Sequence, residues 1–108
     1  MKRVTYLSVA DIEMTEAAQR YDSASEGLGR AFLDAIRATE NRIQRNPQLW
    51  PFRAEPVRSC RVRRFPCRVH YVDEPDRILI VAVAHAKRDP DYWKERRLSG
   101  YPGQSPSA

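Results

Sequence analysis

The chain has 108 residues and a formal net charge of +5, with 42% hydrophobic and 31% charged residues. This size and balance fit one globular domain with a modest core and exclude a disordered chain. The excess of basic residues favours an anionic partner, although charge alone does not distinguish RNA, DNA and an acidic protein.

The N-terminal residues lack the apolar run of a signal peptide, and no stretch approaches the ~20 apolar residues that a membrane span needs. Cys60 and Cys67 have no metal-ligand spacing. A phosphate-binding glycine loop is also missing from the sequence. We therefore expect a cytoplasmic protein with reduced thiols, no metal and no cofactor.

The first half of the chain predicts a strand followed by two helices. Residues 2–7 alternate as a short strand, and Ser8 stands three residues before Asp11, as in a capping box. The first helix has one apolar face, formed by Ala10, Met14, Ala17, Ala18 and Tyr21.

A break at residues 23–27 separates this helix from a second, which we predict from Leu28 to Arg45. Its apolar face comprises Leu28, Phe32, Ile36, Thr39 and Ile43. Asn46-Pro47 ends it, because a residue before proline is pushed out of the helical region. Two helices joined so closely predict an antiparallel hairpin.

The second half predicts a proline-containing loop and three strands. The loop, residues 46–56, is expected to pack its aromatic residues Trp50 and Phe52 onto the core. The strands span roughly residues 57–64, 67–73 and 77–84, and the last is apolar enough to be a central strand covered on both faces.

A polar loop and a short helical turn through Tyr92, Trp93 and Arg96 follow the last strand. The prediction is a single α+β domain, residues 1–98, with the helical hairpin packed on a small, twisted, mainly antiparallel sheet. Residues 99–108 are rich in Gly, Pro and Ser and are expected to form a flexible tail.

An unusual concentration of arginine marks the predicted hairpin between the second and third strands. Five arginines fall within eleven residues: Arg58, Arg61, Arg63, Arg64 and Arg68. The planar guanidinium suits phosphates and carboxylates, so the cluster indicates an anionic partner. A merely solvated surface is the alternative, because most arginines are exposed.

The order of elements and four stretches of sequence resemble the RelE/ParE superfamily of bacterial toxins, with the ParE-like branch the closer likeness. The stretches are residues 27–33, 43–51, 61–71 and 83–93, which include Phe65-Pro66 and His85-Ala86-Lys87-Arg88-Asp89-Pro90. The resemblance implies the toxin of a type II toxin–antitoxin system of the plasmid-stabilisation type. It also implies a cognate antitoxin as partner and a toxin–antitoxin hetero-oligomer.

The resemblance leaves two targets open. ParE-like toxins inhibit DNA gyrase by association, whereas RelE-like toxins cleave messenger RNA on the ribosome, so whether the chain is an enzyme is undecided. A degenerate toxin that only binds its antitoxin is a third possibility.

Candidate site residues follow from the same resemblance. If the chain is a ribonuclease, Arg68 and Arg88 stand where RelE-like toxins carry functional arginines, and Tyr92 is the candidate for proton transfer. For target or antitoxin binding the candidates are Arg61, Arg63, Arg64, His85, Lys87 and Trp93. A purely structural role is favoured for both histidines, with His85 orienting the loop that follows it and His70 covering a sheet face.

Overall fold

The computed structural model describes residues 1–96; the predicted tail, residues 99–108, lies outside them. Five strands and two helices follow one another in the order β1, α1, α2, β2, β3, β4, β5. Their bounds are Arg3–Tyr6 (β1), Ser8–Ala24 (α1), Leu28–Arg45 (α2), Phe52–Ala54 (β2), Val57–Arg61 (β3), Cys67–Asp73 (β4) and Arg77–His85 (β5). Residues 94–96 are again helical.

The two helices form the predicted hairpin. The apolar periodicity of α2 is strong, and four of its five predicted face residues are buried: Phe32, Ile36, Thr39 and Ile43. At the connection, Gly27 adopts a left-handed conformation with φ +87°, which a side chain would strain. Asn46 follows the last residue of α2, as the Asn-Pro pair predicts.

Gly29 allows the two helices to approach closely. A Cβ atom at this position would lie 2.5 Å from the backbone oxygen of Ala18 in α1. The Asp22 carboxylate accepts hydrogen bonds from the backbone N–H groups of Gly27 and Gly29, which fixes the start of α2 against the end of α1. The helices therefore pack as one layer on the sheet.

All five strands belong to one sheet with the order β1-β5-β4-β3-β2. The pairs β5–β4, β4–β3 and β3–β2 are antiparallel, whereas β1 runs parallel to β5 and pairs Arg3 with Arg77. The α+β architecture and the mainly antiparallel sheet are confirmed. The apolar strand predicted at residues 78–84 is central, and every residue from Ile78 to Ala84 is buried.

Three local predictions were wrong. Ser8 is the first residue of α1 rather than its cap, because Leu7 takes the cap position without any side-chain hydrogen bond. Residues 52–54 form the edge strand β2 instead of loop, and Phe52 stays 46% exposed. Strand β3 ends at Arg61, so the next residues belong to the hairpin turn.

Candidate functional site

The register of the β3–β4 hairpin separates the arginine cluster into three groups. Arg61 pairs with Arg68, which places both side chains on one face of the sheet. Arg63 and Arg64 lie exposed in the turn, where Arg64 has a positive φ of 73°. Arg58 is half-buried near the other end of β3.

Arg58 has a structural role. Its Nη1 donates hydrogen bonds to the backbone oxygens of Gln48 (3.2 Å) and Trp50 (2.7 Å). Its guanidinium also lies 3.9 Å from the centroid of the Phe52 ring. This arginine therefore holds the proline-containing loop against the sheet.

Arg68 and Arg88 meet at a small cleft of about 110 Å³ on the sheet, which we call the basic cleft. Arg88 reaches it from the loop after β5, while Arg68 comes from β4. The remaining polar residues that line the basic cleft are Arg53, His70, His85 and Asp89. With the histidines left aside, three guanidinium groups and one carboxylate line the cleft, and Glu13 beyond the lining pairs with Arg88, so that one positive charge remains in excess. The basic cleft can thus hold one oxyanion group.

His70 lies at the base of the basic cleft and is 3% exposed. Burial, followed by the nearby charges of Arg53 and Arg68, lowers its pKa to about 4, so the imidazole is neutral at physiological pH. The ring packs against Trp93 with 5.0 Å between centroids, and its Nδ1 is buried without a hydrogen-bond partner in the described part of the chain. His70 covers a sheet face, as we predicted.

His85 ends β5 and is exposed at the rim of the basic cleft. Its Nδ1 accepts a hydrogen bond of 3.0 Å from the backbone N–H of Lys87. This contact orients the loop after β5, in agreement with the predicted role.

Tyr92 is half-buried beside helix α1 and does not face a free reaction site. Its hydroxyl donates a hydrogen bond of 2.7 Å to Glu13 Oε2. Burial and then the hydrogen bond and charge of Glu13 raise the pKa of Tyr92 well above its ordinary range. The guanidinium of Arg88 lies 3.8 Å from the Tyr92 ring centroid, so the two residues contact each other through that ring.

The other predicted site residues divide by exposure. Arg61, Arg63, Arg64 and Lys87 are exposed and available to a partner. The Trp93 side chain is fully buried against His70, so it packs in the core in the free protein. Among residues 1–96 no three His, Cys, Asp or Glu side chains gather as a metal site would need.

Comparison with known proteins identifies the family of this chain. The model of the ParE toxin of the type II toxin–antitoxin system parDE matches residues 12–90. This chain belongs to the ParE toxin family. The match covers α1 from Ile12 onward, all of α2 and the four strands β2 to β5, and it confirms the resemblance read from the sequence.

A solved structure supports the same fold for this ParE-family chain. The chain described as "Chromosomal ParDE TA system from P. aeruginosa" superposes with a TM-score of 0.60 at 14% sequence identity. The superposition covers 81% of this chain and 98% of that one. At this identity the likeness speaks for the fold alone. A search of curated proteins gave no match.

A second surface of this ParE-family chain is an apolar groove of about 630 Å³ along the outer side of α2, which we call the helix groove. Its floor is formed by Leu28, Ala31, Ala35, Ala38 and Phe65. Three arginines and one acidic residue lie at its edges: Arg42, Arg63, Arg64 and Asp34. This combination suits a partner segment that has apolar anchors and acidic neighbours.

Sequence reasoning missed two residues of these sites. Arg53 lines the basic cleft from β2, a strand that was not predicted. Glu13 contacts Tyr92, Arg88 and Arg96 from helix α1. Its position three residues after Ala10 places it at the border of the apolar face, and that border was the available signal.

No helix within residues 1–96 has the length and apolar character that a bilayer crossing requires.

Proposed function

We propose that this chain inhibits bacterial growth by binding DNA gyrase, and that a cognate antitoxin neutralises it. The observation that supports association rather than RNA cleavage is the state of Tyr92. Its hydroxyl is engaged by Glu13 and holds its proton more tightly than a free tyrosine. A general acid or base works best when its pKa lies near the operating pH, so Tyr92 is poorly suited to that task.

The two histidines of the basic cleft favour the same conclusion. His70 is neutral but covered by Trp93, and His85 uses Nδ1 to accept the Lys87 N–H. The His70 ring is thus shielded from solvent, and Nδ1 of His85 is already engaged. The carboxylate that lines the basic cleft belongs to Asp89, and its Oδ1 accepts the Asp91 N–H. The residues around Arg68 and Arg88 are therefore better suited to binding an anion than to moving its protons.

Positive charge can serve association directly. Exposed arginines on one surface raise the encounter rate with an acidic protein or with a protein–DNA complex. In this proposal the basic cleft and the exposed Arg61 form the target-facing surface. The toxin would then act in the cytoplasm, where its target resides.

A supercoiling assay with purified protein tests the gyrase target. We expect the original chain to inhibit gyrase in a dose-dependent way. The variants Arg68→Ala and Arg88→Ala should inhibit gyrase less strongly than the control variant Arg37→Ala, which changes an exposed arginine of α2. Unchanged supercoiling at concentrations that stop growth would refute the proposal.

Ribosome-dependent cleavage of messenger RNA remains the second candidate, because Arg68 and Arg88 do line one cleft. The variant Tyr92→Phe distinguishes RNA cleavage from gyrase inhibition by association. Loss of a general acid or base should reduce cleavage by roughly 10²–10⁴-fold. Growth inhibition by association should instead fall only a few-fold. Mapping of transcript ends after induction provides the independent check.

The helix groove is our proposed docking surface for the antitoxin. Its apolar floor and arginine rim match a segment of mixed apolar and acidic character, which would fold as it binds. We expect Ala31→Glu, an exposed change on the groove floor, to weaken neutralisation while growth inhibition persists. Asn41→Glu is the control on the same helix. Equal rescue of both variants by the antitoxin would exclude this surface.

A further inference from the structure

Glu13 of helix α1 connects three parts of the molecule that are distant in sequence. Strand β1 pairs with β5 only from Arg77 to Ile80, and Leu7 extends the contact by donating its N–H to the Ile80 oxygen. Farther along β5, the Val83 N–H donates instead to Glu13 Oε1 at 3.0 Å. The carboxylate thus replaces a neighbouring strand where β1 no longer reaches.

The same carboxylate holds the segment that follows β5, residues 86–96. The Tyr92 hydroxyl donates a hydrogen bond to Oε2, and Arg88 Nη1 lies 3.7 Å from that oxygen. Arg96 Nη1 lies 2.8 Å from Oε1, an ion pair by distance although its N–H groups are not directed at the oxygen. Among the described residues Glu13 accepts two hydrogen bonds, from the Val83 N–H and the Tyr92 hydroxyl, and it lies beside two guanidinium groups with its side chain 13% exposed.

Beneath segment 86–96, two buried polar atoms are left without hydrogen bonds in the described part of the chain. Trp93 is fully buried against His70, yet Trp93 Nε1 and His70 Nδ1 are both buried without a hydrogen-bond partner among residues 1–96. Buried polar atoms without partners disfavour the docked state. Burial of the Trp93 side chain favours the closed arrangement, and the contacts with Glu13 add to that preference.

We propose that Glu13 is a positioning residue that keeps segment 86–96 closed on the sheet and so fixes Lys87 and Arg88 at the rim of the basic cleft. When the carboxylate is lost, segment 86–96 detaches while the helices and sheet remain folded. That this placement matters for target binding rests on the function proposed above. The attachment of segment 86–96 by Glu13 is independent of that function.

Hydrogen exchange tests the attachment without any assay of toxicity. In Glu13→Gln the charge-assisted contacts are lost, and we expect the amides of residues 86–96 to exchange about tenfold faster. Strands β3 and β4 should keep their protection. Glu16→Gln, an exposed change one turn along the same helix, is the control and should exchange like the original chain.

The fluorescence of Trp93 gives a second measurement. In a Trp50→Phe background Trp93 is the only tryptophan. Opening of segment 86–96 should shift its emission to the red and increase quenching by acrylamide in Glu13→Gln. The double variant Tyr92→Phe/Arg96→Ala removes partners from the other side of the contact and should give the same local opening with the Val83–Glu13 hydrogen bond intact.

Two results would overturn the proposal. One is unchanged protection of residues 86–96 in both variants, and the other is an equal loss of protection throughout the sheet, which would make Glu13 a general stability residue. Gyrase inhibition is measured separately and should weaken in proportion to the open fraction. If the original chain does not inhibit gyrase but segment 86–96 opens in Glu13→Gln, the proposed function is refuted and the inference about Glu13 stands.

Discussion

His70 shows how strongly a single residue depends on its surroundings in this fold. The imidazole is buried against Trp93, and Arg53 and Arg68 add positive charge nearby. Both effects disfavour the protonated ring, which explains a pKa of about 4 against an ordinary value of 6.5. The folded protein therefore resists a protonation that the unfolded chain accepts.

This difference predicts acid sensitivity. Between pH 6.5 and 4 the unfolded chain binds more protons at this position than the folded one, so stability is lost as the pH falls through that window. The loss from this residue should be on the order of 3 kcal/mol at its largest. Urea unfolding at a series of pH values measures it.

His70→Leu is the matched variant for that measurement, because leucine still fills the space under Trp93 and has no group that titrates. Its free energy of unfolding should depend less steeply on pH over the same range. An identical slope in both proteins would show that other groups cause the acid sensitivity.

The site residues also show where sequence reasoning ends. Arg68 and Arg88 stood out because the resemblance to RelE-like toxins implies functional arginines at their positions, and the structure brings them to one cleft. Glu13 did not stand out, because one acidic residue on a helix usually faces solvent. Its role depends on Val83 and Tyr92, which contact it only after the chain has folded.

At the scale of elements, the helical hairpin depends on the close contact at Gly29. Alanine ordinarily favours a helix over glycine by about 1 kcal/mol. Here the added Cβ would lie 2.5 Å from the Ala18 oxygen, so the helices would have to separate. We expect Gly29→Ala to lower the free energy of unfolding by about 1–3 kcal/mol, as measured by urea or thermal denaturation.

A useful comparison is Ala31→Gly, an exposed position on the same helix. It should cost about 1 kcal/mol through helix propensity alone. If Gly29→Ala were as stable as the original chain, the packing of α1 on α2 would be looser than the structure indicates.

The elements were predicted well wherever local pattern determines them. The bounds of α2 and β4 agree with the sequence-based bounds, because a strong apolar period and the flanking Gly, Asn and Pro residues mark them. Strand β2 was missed since its three residues lie between prolines and carry no alternation. Its pairing with β3 is a tertiary contact that local sequence does not reveal.

At the scale of the whole molecule, charge should govern the rate of association. The chain carries a net charge of +5, and several arginines are exposed on the hairpin turn and near the basic cleft. The association rate with an acidic antitoxin should fall as ionic strength rises, because the Debye length shrinks from about 30 Å at 0.01 M salt to about 8 Å at 0.15 M. Stopped-flow measurements over this range test the expectation.

Arg63→Ala/Arg64→Ala should reduce that salt dependence, because both arginines lie at the edge of the helix groove. The double change Arg30→Ala/Arg37→Ala removes equal charge from exposed positions of α2 and serves as the control. A similar effect of the two double variants would mean that only total charge matters. The helix groove would then have no special part in the encounter.

The position of β1 has a consequence for how this protein is made. Strand β1 is synthesised before the other described strands and pairs with β5, the last of them in sequence, and the pairing of Arg3 with Arg77 spans most of the described chain. Until β5 has emerged, β1 lacks its sheet partner, and β4 lacks one of its two neighbours. During synthesis the nascent chain therefore cannot yet present Arg68 and Arg88 together, and the basic cleft forms only once translation has passed the last strand.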